Sequence, residues 1–258
     1  MSWTRLSLLP LLLFLAAGEA QAALSDEIQV YTDDLEKPGE RGIELHVNTT
    51  PSGRSTPDYP GEVTPWHSLR VTPEISWGIA RDWDWGFYLP FVRSAEGDYS
   101  FAGPKARLKW LPLRPAEGES GAFAGINGEL AYVQEKFVQA RKTLELRPIL
   151  GWRSEKWLAA VNPTVGMDLA GAEQGVATFH PSLKVSRDIG GKRALGFEYY
   201  ADFGRLSHFA PREEQEHTLY LVLDTDAVAG KWPGLNFGIG RGLTTVTDRW
   251  TIKAIVSF

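Results

Sequence analysis

Residues 249–258 place apolar side chains on every second position: Trp250, Ile252, Ala254, Val256 and Phe258. Thr251, Lys253 and Ser257 take the other parity, and Ile255 breaks it. Successive side chains of a strand point to opposite faces, so this spacing predicts a β-strand greasy on one side and polar on the other. The same period recurs upstream between turn signals, over residues 41–49, 66–77, 83–92, 102–111, 122–133, 144–152, 157–166, 178–187, 195–203, 218–224 and 234–241. The pattern therefore predicts about twelve strands and no βαβ units. One strand carries Trp83, Trp85, Phe87, Leu89 and Phe91 on a single face. In a small soluble domain such a face packs into a core; in a barrel it meets lipid. Connections after odd strands (50–65, 93–101, 134–142, 168–175, 204–216, 242–248) are longer or more polar than most of the others, with 112–121 and 227–233 as exceptions. Long loops at one rim and short turns at the other are what single-chain outer-membrane barrels show. The expected fold is all-β: a transmembrane antiparallel up-and-down β-barrel.

The two ends of the chain bear on that choice. Arg5, an apolar run from Leu6 to Ala17 and Ala20-Gln21-Ala22 have the three parts of a secretory signal peptide. The expected division is signal peptide 1–22, a periplasmic N-terminal arm 23–40, and a barrel 41–258. The arm is polar and acidic, and folding into the barrel mouth is its alternative. At the other end, an alternating strand closed by an aromatic resembles the C-terminal signature of Gram-negative outer-membrane barrels. That resemblance implies an outer-membrane location, with Trp250 and Phe258 as an assembly signal for the barrel assembly machinery and outer-membrane lipid as a partner. An ordinary closing strand of a soluble all-β domain is the competing reading.

Composition narrows the chemistry. Cysteine is absent, which excludes a disulfide framework and thiolate catalysis. The net charge of -5 is too weak and too evenly spread for nucleic acid. Gly 26 and Trp 10 in a chain of average hydropathy suit strands that are apolar on one face only.

Parity assigns Glu44, Arg70, Glu74, Asp84, Lys105, Arg107, Lys109, Glu129, Glu145, Arg147, Lys184, Glu198, Asp202, Asp224 and Lys253 to the lumen. A charge facing lipid costs roughly 2–4 kcal/mol for Arg or Lys at the midplane, and a slip of one residue would turn all of them outward. Lys105, Arg107 and Lys109 share one strand, with Asp84 on the strand before and Glu129 on the strand after. Opposite charges on neighbouring strands pair, so the lumen reads either as salt-bridged shut or as a selective pore. Eight strands are filled by side chains and 16–18 leave a channel, so twelve decides nothing by itself. Pro73, Pro90, Pro104, Pro148, Pro163 and Pro181 fall within predicted strands, where bulges are expected to accommodate them.

Catalytic motifs are lacking: there is no G-x-S-x-G, H-E-x-x-H or Walker loop. His180 and Ser182 share a strand face, His46 points inward on another, and His67, His208 and His217 map near the long loops. A lipid-hydrolysing barrel is the weaker reading for the first pair, and solvated histidines outweigh a metal for the last three. No catalytic residue, cofactor or metal is expected.

The run Glu27-Ile-Gln-Val-Tyr31, Lys37-Pro-Gly39 and Gly42-Ile-Glu-Leu-His46 is similar to the start of exported barrels in the MetA-pathway-of-phenol-degradation-like group. Gly103-Pro-Lys-Ala-Arg-Leu-Lys109, Leu195-Gly-Phe-Glu-Tyr-Tyr200 and Asn236-Phe-Gly-Ile-Gly-Arg-Gly242 resemble it in style. The likeness implies an outer-membrane barrel connected with uptake of small, often hydrophobic compounds, and it supplies no catalytic residues. The expected function is a passive channel or transporter for an unidentified small-molecule solute. A closed structural or interaction barrel working through its loops is the alternative, and an outer-membrane lipid hydrolase comes third.

Overall fold

The computed structural model describes residues 27–227 and 232–258. The expected signal peptide and part of the turn 227–233 lie outside them. Among the described residues every regular element is a strand. β1 (Arg41–Ser52), β2 (Leu69–Ala80), β3 (Trp83–Tyr88), β4 (Phe91–Arg93), β5 (Tyr99–Phe101), β6 (Lys105–Leu113) and β7 (Gly121–Tyr132) come first. They are followed by β8 (Lys142–Arg153), β9 (Trp157–Asp168), β10 (Ala177–Asp188), β11 (Arg193–Asp202), β12 (Glu216–Thr225), β13 (Gly234–Gly242) and β14 (Trp250–Ser257). Neighbours pair antiparallel in an up-and-down order. β14 closes onto β1, from Glu44 opposite Ser257 to Ser52 opposite Trp250. This closure pairs the long strands on both sides, which is how a barrel satisfies its backbone; among the described residues only the short β5, paired with β4 alone, keeps an edge with no strand on it.

These fourteen segments make twelve strands. β3 and β4 both pair with β2 and are the two parts of one strand, interrupted at Leu89-Pro90. β5 and β6 are the parts of the next, interrupted at Ala102-Gly103-Pro104, with β5 on β4 and β6 on β3. The predicted loop 93–101 therefore ends in a strand segment, Tyr99–Phe101. Proline lacks the N–H that a ladder needs. Gly103 turns at φ 137 against the Tyr132 carbonyl, where a Cβ has no room. The other four prolines stay in register: Pro73 opposite Leu45, Pro148 opposite Ile126, and Pro163 opposite Pro181. The expectation that these six mark bulges is corrected. Register shifts fall instead between Thr49 and Ser52, Gly78 and Ala80, and Trp110 and Leu113, close to strand ends. An extra residue on one strand of a pair bends that strand locally.

Burial is inverted relative to a soluble domain. Asn162 and Lys253 are fully buried, whereas Phe197 is 56% and Leu221 51% exposed. The outward belt ends in two aromatic girdles, as at membrane interfaces. At the short-turn rim Trp77 stacks on Trp85 at 4.5 Å and Trp83 on Trp110 at 5.6 Å. At the long-loop rim Phe179, Phe203 and Phe209 pack together. Trp250 sits at this rim, at the far end of β14 from Phe258, whose N–H donates to the Ile43 carbonyl at 2.9 Å. Ile255, the break in terminal parity, is buried among the inward groups.

Residues 27–37 run inside the barrel. The arm, expected as periplasmic with insertion into the mouth as its alternative, crosses the short-turn rim where Pro38 bridges Gly78. Its Lys37 carbonyl lies where a Cβ of Gly78 would stand, so the strand must carry glycine for the backbone to pass this close. Ile28, Val30 and Tyr31 are buried among inward apolar residues such as Leu111, Phe123, Ile149 and Val222.

Candidate functional site

Alternation sends the polar parity of every strand toward the barrel axis, and closure brings strands far apart in sequence face to face. One ionic group forms on β2, β3, β6 and β7. Arg107 Nη2 lies 2.7 Å from Glu74 Oε1, and its Nη1 pairs with Asp84. Lys109 reaches the other Asp84 oxygen at 3.3 Å, and Lys105 meets Glu129 at 2.7 Å. A second group forms across β10 to β14. Lys184 lies 3.1 Å from Glu198 and 2.8 Å from Asp224, while Lys253 pairs with the other Glu198 oxygen. Tyr200 donates to Glu198 at 2.6 Å and Asn236 to Asp224 at 2.6 Å. Buried charges persist only when paired and hydrogen-bonded like this.

The arm is threaded through these groups. Asn162 grips its backbone at both sides of one residue, accepting from Tyr31 N at 2.7 Å and donating to Tyr31 O at 3.1 Å. The Tyr31 ring lies among three cations, Arg147 at 4.4 Å, Lys109 at 5.4 Å and Arg107 at 5.9 Å, an arrangement favoured by the ring's negative face. The Tyr31 and Tyr88 hydroxyls are 2.8 Å apart. Lys253 donates to the Ile28 carbonyl at 2.8 Å, Arg147 pairs with Glu27 at 3.4 Å and with Glu145 at 2.7 Å, and Arg153 pairs with Asp33. Two cavities flank the arm, about 540 Å³ toward the short-turn rim and about 240 Å³ toward the long-loop rim. Gln29 borders both.

The fold is a known one. A COG4313 outer membrane channel from Pseudomonas putida F1 is similar over 90% of this chain and 100% of its own, at 12% identity and a TM-score of 0.55. A bacterial polysaccharide outer membrane secretin (11% identity, 87% and 99% covered, TM-score 0.40) and the Vibrio cholerae outer membrane protein OmpT lacking loop L8 (9%, 85% and 98%, 0.35) are more remote in shape. At these identities the likeness is one of fold. No protein-family model and no curated protein matches the sequence.

Of the fifteen charged residues assigned by parity, Arg70, Glu74, Asp84, Lys105, Arg107, Lys109, Glu129, Lys184, Glu198 and Lys253 are buried inside the barrel. Glu44 and Asp224 line the larger cavity, and Glu145, Arg147 and Asp202 the smaller. His180 and Ser182 do not form a nucleophile–base pair. The His180 ring contacts Thr178 at 2.6 Å and Asp202 at 3.3 Å, while the Ser182 hydroxyl donates to Asn162 at 3.4 Å. His217 is taken by Tyr199 and Gln215. Glu27 and Tyr31 escape the parity reading because nothing periodic marks the arm; Tyr88 has the inward parity of its strand but carries no charge to single it out.

At the long-loop rim, Arg54 clamps Glu62 with two hydrogen bonds of 2.7 Å, and its backbone N–H donates to Asp248 at 2.8 Å. The clamp ties the loop after β1 to the loop before β14. Burial alone raises the Glu62 carboxyl, but the bonds from Arg54 and the Asp58 amide outweigh it and hold it below the ordinary carboxylate value. Asp248 is shifted the other way, chiefly by burial.

Proposed function

We propose that the protein is a passive outer-membrane channel or transporter for small molecules, stopped at mid-lumen by its own N-terminal arm. The observation that carries this reading is the arm lying between two cavities of one closed barrel, held by polar groups that water or a solute can replace. The apolar contacts of Ile28, Val30 and Tyr31 hold it as well. The mixed charges of the lumen set selectivity, because a solute that passes must exchange hydrogen bonds with them. The apolar belt and the aromatic girdles support a setting in the Gram-negative outer membrane, reached after removal of residues 1–22 as a signal peptide. Outer-membrane lipid is then its solvent, and Phe258 is the residue offered to the barrel assembly machinery. The likeness to the MetA-pathway-of-phenol-degradation-like group agrees with a small-molecule role.

Planar-bilayer recordings of the full chain and of a chain lacking residues 24–40 test the proposal. Steady single-channel conductance that rises on deletion supports it; silence from both, in protein that resists heat unfolding as a barrel should, sinks it. In a conducting chain, Glu129→Gln and Glu145→Gln shift ion selectivity, and no shift removes these residues from the selective wall. The second reading, a closed interaction barrel working through its loops, draws on the ion pairs that fill the lumen, and silence in bilayers favours it. Phospholipid turnover abolished by Ser182→Ala would promote the hydrolase, against the geometry of His180 and Ser182.

A further inference from the structure

Three inward side chains at the closing seam converge on one point. Glu44 and Glu74 are direct cross-strand partners on β1 and β2, and His46 is the next inward residue after Glu44. His46 Nε2 lies 3.2 Å from Glu74 Oε2 and 3.6 Å from Glu44 Oε2, and one donor atom from each residue falls within 4.8 Å of the others. Like charges set directly opposite each other on neighbouring strands repel, so this pair needs a counter-charge between its facing oxygens.

The remaining oxygen of each carboxylate is held from behind. Glu74 Oε1 accepts from Arg107 Nε at 2.8 Å, and Glu44 Oε1 accepts from Ser257 Oγ at 2.7 Å. Supporting donors of this kind orient the ligands of metal sites. Arg107 itself also pairs with Asp84, which offsets its charge near the cluster. His46 is fully buried, and its Nδ1 has no hydrogen-bond partner. Apart from the two carboxylates that its Nε2 faces, the imidazole has no polar partner among the described residues.

We propose that Glu44, His46 and Glu74 bind one divalent transition-metal ion, with Zn²⁺ as the representative. One imidazole nitrogen and two carboxylate oxygens are an N/O set that such ions accept with bonds of about 2.0–2.2 Å. Donors in a tetrahedral site of that size stand roughly 3.4 Å apart, close to the two spacings at His46 Nε2. The ion reaches the site from the larger cavity, whose wall includes Glu44 and Glu74. Bound there, it cross-links β1 to β2 with Ser257 of β14 behind it, at the seam where the barrel closes, and keeps a fourth position for water or a passing solute. The site is independent of the channel reading, because binding is measured without conductance.

The test is calorimetry and metal analysis on the full-length protein in detergent, treated with chelator and then titrated with Zn²⁺. One ion binds per chain, and the thermal midpoint rises with it. Glu44→Gln and His46→Gln abolish binding, His208→Gln leaves it intact, and Ser257→Ala weakens it roughly ten- to a hundredfold. Should the first two variants fail to fold, Co²⁺ absorption and nuclear relaxation on the wild type report imidazole and carboxylate ligation directly. Lack of stoichiometric binding means that a proton on His46 bridges the carboxylates and overturns the proposal. Binding that survives both substitutions, or a Co²⁺ signal without imidazole, overturns it too.

Discussion

On β11 and β12 the outward Phe197 and Leu221 face each other across the sheet, more than half exposed, with neighbours that any apolar residue could replace. The inward Glu198 of β11 is tied to Lys184, Lys253, Tyr200 and Asn236, and a substitute must match four partners at once. The outward face is a local pattern, tolerant of identity and sensitive to depth in the bilayer. The inward face is a set of specific pairings between distant residues, tolerant of little. The difference follows from the solvent on each side: hydrocarbon asks only for apolar surface, whereas a narrow polar lumen demands a partner for each charge.

The largest effect that tests this contrast is Lys253→Met. It takes one of the two cations from Glu198, leaving Lys184, and frees the Ile28 carbonyl, at a cost of roughly 3–5 kcal/mol in chemical unfolding from detergent or vesicles. Adding Glu198→Gln should recover part of that loss; strict additivity would show that the two charges are not a unit. Next comes Leu221→Arg on the outward face, at roughly 2–4 kcal/mol in the same assay, with Leu221→Ile close to neutral. Equal costs for Ile and Arg would mean that packing, not lipid, sets the outward rule.

The outward rule was legible in the sequence because a period of two needs no partner to be seen: Trp83, Trp85 and Phe87 reveal their face by themselves. Strand number and the parity of Lys105, Arg107 and Lys109 were legible for the same reason. The path of the arm was not. Tyr31 meets Asn162 across 131 positions and Asp33 meets Arg153 across 120, and no local signal spans such distances. The convergence of Glu44, His46 and Glu74 was half legible: all three have inward parity, but only the register of β1 on β2 sets the two carboxylates opposite each other. Pro90 and Pro104 flagged the two broken strands, while Pro73, Pro148, Pro163 and Pro181 looked alike in sequence and left their strands whole, the β8–β9 ladder alone skipping from Leu146 to Leu150 where Pro148 and Pro163 would meet.

Smaller effects sharpen the contrast at its margins. Arg153→Gln releases Asp33 of the arm at a partly exposed pair, worth about 1 kcal/mol or less, and is read as faster protease cleavage within the first forty residues. Unchanged cleavage would mean that Asn162 and the cations around Tyr31 hold the arm alone. The smallest effect is the pH response of the Arg54–Glu62 clamp. Because the folded Glu62 carboxyl titrates below its unfolded value, the clamp's contribution is fully present above the ordinary carboxylate range and is lost as pH falls through the folded value. Hydrogen exchange of the loop between β1 and β2 should rise on acidification into that window, and Glu62→Gln should remove the response.

The most direct measurement of the central claim is tryptophan quenching by lipids brominated in their acyl chains. Trp83, Trp85, Trp110, Trp152 and Trp157 are exposed on the outside of the barrel. In vesicles of brominated lipid their emission should fall strongly, and salt or washing should not restore it. Undiminished emission, from a chain that stays dissolved without detergent, would contradict the account.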